Sequence, residues 1–178
     1  GVAASLPAGV CLVQRLQAGD AGVLGDPTQI HQVVLNLCAN AVQAMKSTGR
    51  LSVEVDVAEF AEPRIVATST LPPGRYVRLA VGDTGSGIAP HVLERIFDPF
   101  FTTKEVGVGT GLGLSLVHGI VTDLGGGIAI DSRPGEGALF TVWLPWQSYV
   151  AAPAADEEHV APGAGETILL VDDEEALV

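Results

Sequence analysis

The run Asp26-Pro27-Thr28-Gln29-Ile30-His31-Gln32-Val33-Val34-Leu35-Asn36-Leu37-Cys38-Ala39-Asn40-Ala41-Val42-Gln43-Ala44-Met45 contains a helix start and two dissimilar faces. Asp26 has the side chain of an N-cap, and Pro27 fits the first helical position, where its missing N–H is no loss. No breaker follows until Gly49. At about 100° per residue, Ile30, Val34, Leu37, Ala41 and Met45 line up as an apolar stripe. Gln29, Gln32, Asn36, Asn40 and Gln43 form a second stripe made only of neutral amides. A solvated face ordinarily carries Lys and Glu, so this second stripe is expected to meet a polar object other than bulk water.

Working outward, Gly9 to Gln17 reads as a strand, and Arg50 to Phe60 (RLSVEVDVAEF) alternates with period two as a half-solvated strand does. The Leu71-Pro72-Pro73-Gly74 turn leads into a strand over Tyr76 to Val81, expected as an antiparallel neighbour of the one before it. After the glycine-rich Gly82-Asp83-Thr84-Gly85-Ser86-Gly87 come a short helix behind Pro90 and an irregular stretch from Asp98 to Gly109. Leu112 to Leu124 reads as a second long helix. Gly125 to Asp131 and Ala138 to Leu144 read as a final hairpin around Arg133-Pro134-Gly135-Glu136-Gly137. From Gln147 to Gly165 the composition turns to Ala, Pro, Gly and acidic residues, which is linker chemistry. Glu166 onward (ETILLVDDEEALV) opens a new short apolar strand ending in two aspartates.

The composition sets bounds on what this chain can do. Of 178 residues, 47% are hydrophobic and 17% charged, enough apolar material for a core and too little charge for disorder throughout. A formal charge of −12 argues against a nucleic-acid surface and against direct membrane contact, both of which need clustered Lys and Arg. An anionic ligand would need a local solution, such as a metal ion or exposed backbone N–H groups. Cys11 and Cys38 sit in apolar runs and are expected as buried free thiols. No apolar run approaches the roughly 20 residues of a spanning helix, and GVAASLPAG lacks the charged n-region and long h-region expected of a signal peptide. The expected location is cytoplasmic, with a parent that could be membrane-anchored through other parts.

Two common phosphate motifs fail. The only lysines, Lys46 and Lys104, follow Met45 and Thr103, so there is no Gly-Lys-Ser/Thr loop. Leu112 and Leu114 occupy the third-glycine positions of the dinucleotide fingerprint. Four other elements remain. Asn36 and Asn40, four residues apart, share one helix face and offer hard neutral oxygens to a cation such as Mg²⁺. Asp83 ends a strand, and a carboxylate there can accept from the exocyclic amine of adenine while rejecting guanine's carbonyl; Gly85 and Gly87 would let the backbone approach a flat ring. Phe97-Asp98-Pro99-Phe100-Phe101-Thr102-Thr103-Lys104 combines three of the chain's five phenylalanines with hydroxyls and a lysine. Gly107 to Ser115 (GVGTGLGLS) enters a helix whose N-terminal N–H groups and partial positive charge suit phosphate.

Each element alone is ordinary; their order is not. NLCANA, then DTGSGI, FDPFFTTK and GTGLGLSLV, closely resembles the asparagine, first glycine, phenylalanine and second glycine boxes of sensor histidine kinases, over roughly Leu6 to Trp146. The resemblance implies the α/β (α+β) two-layer sandwich of the GHKL superfamily: a mixed, mostly antiparallel sheet of about five strands under one layer of helices. It implies ATP and Mg²⁺ as ligands, with residues 1–147 as the ATP-binding catalytic domain, 148–165 as linker and 166–178 as the start of a receiver domain. Carried onto this chain, Asn40 resembles the Mg²⁺ ligand and Asn36 its neighbour facing the phosphates. Asp83 resembles the adenine-reading carboxylate, assisted by Gly85, Gly87 and Ile88. Phe97, Thr102, Thr103 and Lys104 resemble the lid, with Lys104 near the terminal phosphate and, like Asn36, in a catalytic position. Gly109, Thr110, Gly111, Leu112 and Gly113 resemble the phosphate-side loop and helix start, and Thr141 is expected to offer a hydroxyl near adenine. One departure is Gln43, where the family often has Lys or Arg.

The hydrolases of this superfamily carry a Glu four residues before the metal-binding Asn; here that position is Asn36, and an amide takes no proton at neutral pH. The expected reaction is therefore transfer to a protein acceptor rather than to water, and the resemblance implies that this acceptor is a histidine on a separate dimerisation domain. None of His31, His91, His118 and His159 precedes an acidic residue as such an acceptor does. The expected partners are that domain and a receiver domain, whose first strand and acidic pair ILLVDDEE resembles through Asp172 and Asp173. A serine kinase of the anti-sigma type and a non-catalytic ATP-sensing module, the latter motivated by Gln43, are the competing readings.

Overall fold

In the computed structural model, residues 6–103, 110–148 and the backbone of 167–169 are described. In chain order the elements are β1 (Val10–Leu16), β2 (Ala21–Leu24), α1 (Pro27–Ala44), β3 (Gly49–Phe60), β4 (Arg64–Ile65) and β5 (Thr70–Leu71). They continue with β6 (Gly74–Asp83), α2 (Pro90–Leu93), α3 (Gly113–Asp123), β7 (Gly127–Ser132), β8 (Ala138–Pro145), β9 (Gln147–Ser148) and β10 (Thr167–Leu169). The main sheet has five strands in the order β1-β3-β6-β8-β7. Only the β1–β3 pair is parallel; β3–β6, β6–β8 and β7–β8 are antiparallel. This is the expected mixed, mostly antiparallel sheet.

The helix starts as its sequence requires. Asp26 has extended backbone, and its Oδ1 accepts the Thr28 N–H at 2.8 Å. It ends earlier than Gly49: Met45 is the C-cap, and Lys46 and Ser47 adopt left-handed backbone with φ of 52° and 61°. Ile30, Val33, Leu37, Cys38 and Ala41 are buried, so the apolar face includes Val33 and Cys38, while Val34 is half-buried.

Helices α1 and α3 cover one face of the sheet. The strand alternation delivers Leu51, Val53 and Val55 of β3, Val77, Leu79 and Val81 of β6, and Phe140, Val142 and Leu144 of β8 to that face. There they meet Leu37 and Ala41 of α1 and Val117, Ile120 and Val121 of α3 in one core. The opposite, outer face carries a smaller second core of Leu71, Tyr76 and Trp143, against which Phe60 and Val66 pack. The short β4–β5 hairpin, absent from the sequence reading, supplies part of that cover. Beyond it the outer face is polar, with Arg78 held between Asp56 (2.7 Å) and Glu54 (3.2 Å).

Of the two thiols expected to be buried, one is and one is not. Cys38 is buried in the core, where burial pushes its thiol pKa up to about 11. Cys11 is exposed, because it sits on the edge strand between Val10 and Leu12 and points to the other face. A further three-stranded antiparallel ribbon, β10-β2-β9, also went unread. Apart from Ser148 and Thr167–Leu169, the expected linker (148–165) and receiver start (166–178) lie outside the described residues. Among the described residues no helix is long and apolar enough to cross a membrane.

Candidate functional site

A cavity of about 710 Å³ opens between α1, the loop after β6, α2 and the start of α3. At one end lies Asp83, the last residue of β6. It has the same parity as Val81 and Leu79, so its carboxylate is on the helix side of the sheet. Oδ1 accepts the Gly85 N–H at 2.8 Å, and the Ala138 N–H also bonds to the carboxylate. Half-burial raises the Asp83 pKa above its ordinary 3.8, and those two N–H groups oppose the rise. Part of the carboxylate's acceptor capacity is used to rigidify the loop, and the rest is available to a ligand.

The loop after Asp83 is clamped from two sides. On the helix side, Ser86 N–H donates to the Ala44 carbonyl (3.2 Å). On the hairpin side, Gly135 N–H donates to the Ser86 carbonyl (2.7 Å), and Ile88 N–H donates to Ser132 Oγ (2.9 Å). Gly87 has φ +68°, and a Cβ there would run into the Arg133 carbonyl, so the turn admits glycine only. Behind the loop, Ile88, Val92 and Ile96 build an apolar wall, joined across the cavity by Phe140 and Ala138.

Asn36 and Asn40 line the cavity along α1, running away from Asp83. At the far end, a Cβ on Gly113 would lie 3.2 Å from Asn36 Oδ1, so the N-terminus of α3 comes close beside this amide. Gly111, with φ +67°, is locked to the phenylalanine segment: the Phe100 N–H donates to its carbonyl at 3.0 Å, and a Cβ would strike the Phe100 backbone. Thr110 Oγ1 accepts the Leu112 N–H at 3.3 Å just before the helix. The cavity thus has a carboxylate with an apolar wall at one end, two amides in the middle, and a helix N-terminus at the other.

Of the residues singled out from sequence, Asn36, Asn40, Asp83, Gly87, Ile88, Thr102, Thr103, Thr110, Gly111 and Gly113 line this cavity together. Four others stand elsewhere. Gly85 sits behind Asp83 and acts through its N–H. Phe97 packs its ring against His118, with centroids 5.3 Å apart, and stands against the core rather than in the cavity wall. Leu112 is exposed outside the cavity. Thr141 is corrected outright: it pairs with Ala80 and Ala129, one register step from Phe140, and so faces the outer side of the sheet with Trp143. Lys104 and Gly109 lie outside the described residues. Unforeseen wall residues include Lys46, Ser86, Val92, Ile96, Leu114, Ala138 and Phe140. The four-residue spacing Ile88-Val92-Ile96 was legible in the sequence; Phe140 became visible only through the β6–β8 register.

A second cavity of about 430 Å³ lies on the outer side of the same sheet end, lined by Arg50, Asp131, Arg133 and Glu136 among others. It mixes both signs of charge and lacks a helix N-terminus, so it offers a polyanion no coherent field.

A fold of this topology with this cavity defines a class, and comparison with known proteins agrees. Residues 25–148 match the family described as histidine kinase-, DNA gyrase B-, and HSP90-like ATPases, and the chain belongs to that family. The sensor kinase CckA of Brucella abortus (strain 2308) is 41% identical over 166 residues, covering 87% of this chain but 17% of that protein. The chain therefore spans about a sixth of that relative's length. Among solved structures, the catalytic domain of histidine kinase ThkA superposes with a TM-score of 0.59 at 32% identity, covering 77% of this chain and 79% of that one. Full-length ShkA in complex with AMPPNP superposes with a TM-score of 0.60 at 26% identity, covering 80% of this chain and 27% of that one.

Proposed function

We propose that this domain binds Mg-ATP and donates its γ-phosphate to a histidine on a dimerisation domain outside this sequence, as the catalytic part of a two-component sensor kinase. One observation carries the reading: a base-selective carboxylate and a pair of metal-suited amides stand at successive positions along a single cavity. Asp83 accepts from the adenine amino group, while Ile88, Val92 and Ile96 exclude water from the ring. The N-terminus of α3 faces the phosphates, and Thr102 and Thr103 bring hydroxyls from the lid side; Lys104 would add a cation. CckA and ThkA being a sensor kinase and a histidine kinase supports this.

The donor chemistry fits Mg²⁺ brought in by the nucleotide. Among the described residues no cluster of three His, Cys, Asp or Glu exists that could hold a metal alone. Asn40, with Asn36 one turn away, would be its protein-side contact, through neutral oxygens that leave the charge balance to phosphate. A metal bound there supplies neutralisation of the charge that builds on the phosphoryl oxygens.

Asp83 is the sole carboxylate among the described cavity residues, and it stands at the base end. No described group at the phosphate end can take a proton from water, which disfavours hydrolysis and leaves the nucleotide intact for a protein acceptor. His31 and His91 are exposed and His118 packs on Phe97; none is followed by an acidic residue, so none is the acceptor. The segment 166–178 would open a receiver domain, with Asp172 and Asp173 as its acidic pair, and the protein would work in the cytoplasm. Labelled ATP and a separately supplied dimerisation domain test the reading. Acid-labile label on that domain supports it; acid-stable label indicates a serine kinase, and none, despite tight ATP binding, indicates a sensing module.

A further inference from the structure

We propose that Ser132 is a positioning residue for base selection, holding Ile88 at a fixed place opposite the Asp83 carboxylate; this rests on the cavity being the ATP site. Strand β7 alternates as a core strand should: Ile128 and Ile130 face the helices, opposite Val142 and Phe140. Ser132 is the next residue of that series, so a hydroxyl stands where the pattern calls for an apolar side chain. It is half-buried, and the hydroxyl both donates and accepts. Oγ donates to the Gly137 carbonyl at 2.7 Å and accepts the Ile88 N–H at 2.9 Å.

The bond to Gly137 has an ordinary explanation, since it lies within Ser132's own hairpin. The bond from Ile88 does not. It comes from 44 residues away, and the hairpin is already closed by the β7–β8 ladder and by the Glu136 N–H to Arg133 carbonyl bond (3.0 Å). Across the ladder Ser132 pairs with Ala138, whose N–H bonds to the Asp83 carboxylate. One cross-strand pair therefore grips both ends of the base-reading loop. Ala138 holds the carboxylate at its start, and Ser132 holds Ile88, the first residue of the apolar wall. A Cβ on Gly137 would strike the Asp83 carbonyl and one on Gly87 the Arg133 carbonyl, so loop and hairpin touch backbone to backbone along this seam. With glycine at 85 and 87 the loop has little stiffness of its own, and the hairpin sets the separation between carboxylate and wall.

Calorimetry with ATP, adenosine and inorganic tripolyphosphate, Mg²⁺ present throughout, tests this on the wild type, Ser132→Ala, Ser132→Cys and Ser132→Thr, with a thermal melt of each. Ser132→Ala is expected to weaken ATP and adenosine alike by about three- to tenfold, the scale of one neutral hydrogen bond, with tripolyphosphate affinity unchanged. Ser132→Cys fills the same space with a weaker bonding group and is expected to show the same pattern to a lesser extent. Ser132→Thr keeps the hydroxyl on a residue suited to a strand and is expected to retain the wild-type affinities. A merely structural serine would lower the melting midpoint and leave the adenosine affinity of the folded protein where it was. Unchanged adenosine affinity in the folded Ala or Cys variant, or equal losses for adenosine and tripolyphosphate, would overturn the positioning role while leaving the nucleotide site standing. Failure of the wild type to bind ATP or adenosine would instead remove the reading on which the proposal rests, and the proposal with it.

Discussion

Replacing Asp83 with asparagine changes the charge and one acceptor while keeping the shape. In the wild type the carboxylate accepts the Gly85 N–H at 2.8 Å and the Ala138 N–H, and has further lone pairs for a ligand. An amide has one carbonyl oxygen and two N–H donors. If the oxygen keeps the Gly85 bond, the NH₂ faces the ligand and presents a donor where adenine also presents one. The lost charge-assisted bond is worth about 1.5–3 kcal/mol, or roughly a 10- to 150-fold loss of ATP affinity. Guanine offers a carbonyl at the same edge, so GTP affinity is expected to hold or rise. The fold itself should suffer little, because removing a half-buried charge offsets part of the weakened loop bonding. Parallel titration of both nucleotides, with a thermal melt as control, measures all three quantities. An Asp83→Asn protein that melts normally and keeps the wild-type ATP/GTP ratio would refute the base-reading role.

Asn40→Leu is expected to abolish the part of ATP affinity that depends on Mg²⁺ while leaving metal-free binding nearly intact; equal Mg²⁺ enhancement in both proteins would exclude Asn40 as the contact. Gly87→Ala meets both a left-handed φ and the Arg133 carbonyl, so it should cost about 2 kcal/mol or more and lower the melting midpoint by several degrees. Gly119→Ala, inside α3 with nothing within 4 Å of the new methyl, should instead stabilise by about 0.5–1 kcal/mol, and a melt of the two variants side by side checks both signs. The raised Asp83 pKa sets a pH dependence: the folded state, and still more the nucleotide-free state, takes up its proton at a higher pH than an ordinary aspartate. Adenine affinity should therefore fall as pH drops through that raised value, while the fold regains the cost of burying the charge. Asp83→Asn should flatten the affinity profile, and an unchanged profile would point to another titrating group.

Much of this architecture could be read in the chain because local signals and tertiary structure agreed. The Asp26 cap, the period-two run of β3 and the glycines before α3 each specify their element without help from distant residues. The amide stripe was legible in part: Asn36, Asn40 and Gln43 line the cavity, while Gln29 and Gln32 are exposed outside it. What escaped was whatever depended on register or on long-range partners. β2, only four residues long, is a strand because β9 and β10 pair with it, and its own sequence AGVL says little. Thr141 was placed near the base by the resemblance alone; a single step along β8 from Phe140 puts it on the far side of the sheet. Cys11 appeared buried because its neighbours are apolar, but an edge strand leaves alternate residues exposed.

A structure of the domain with Mg²⁺ and a non-hydrolysable ATP analogue tests the central claim most directly. The base amino group should lie within hydrogen-bond distance of the Asp83 carboxylate, with the metal against the Asn40 amide oxygen and the phosphates toward the start of α3. A nucleotide seated in the outer-face cavity beside Arg50 and Arg133, or one whose base lies away from Asp83, would contradict it.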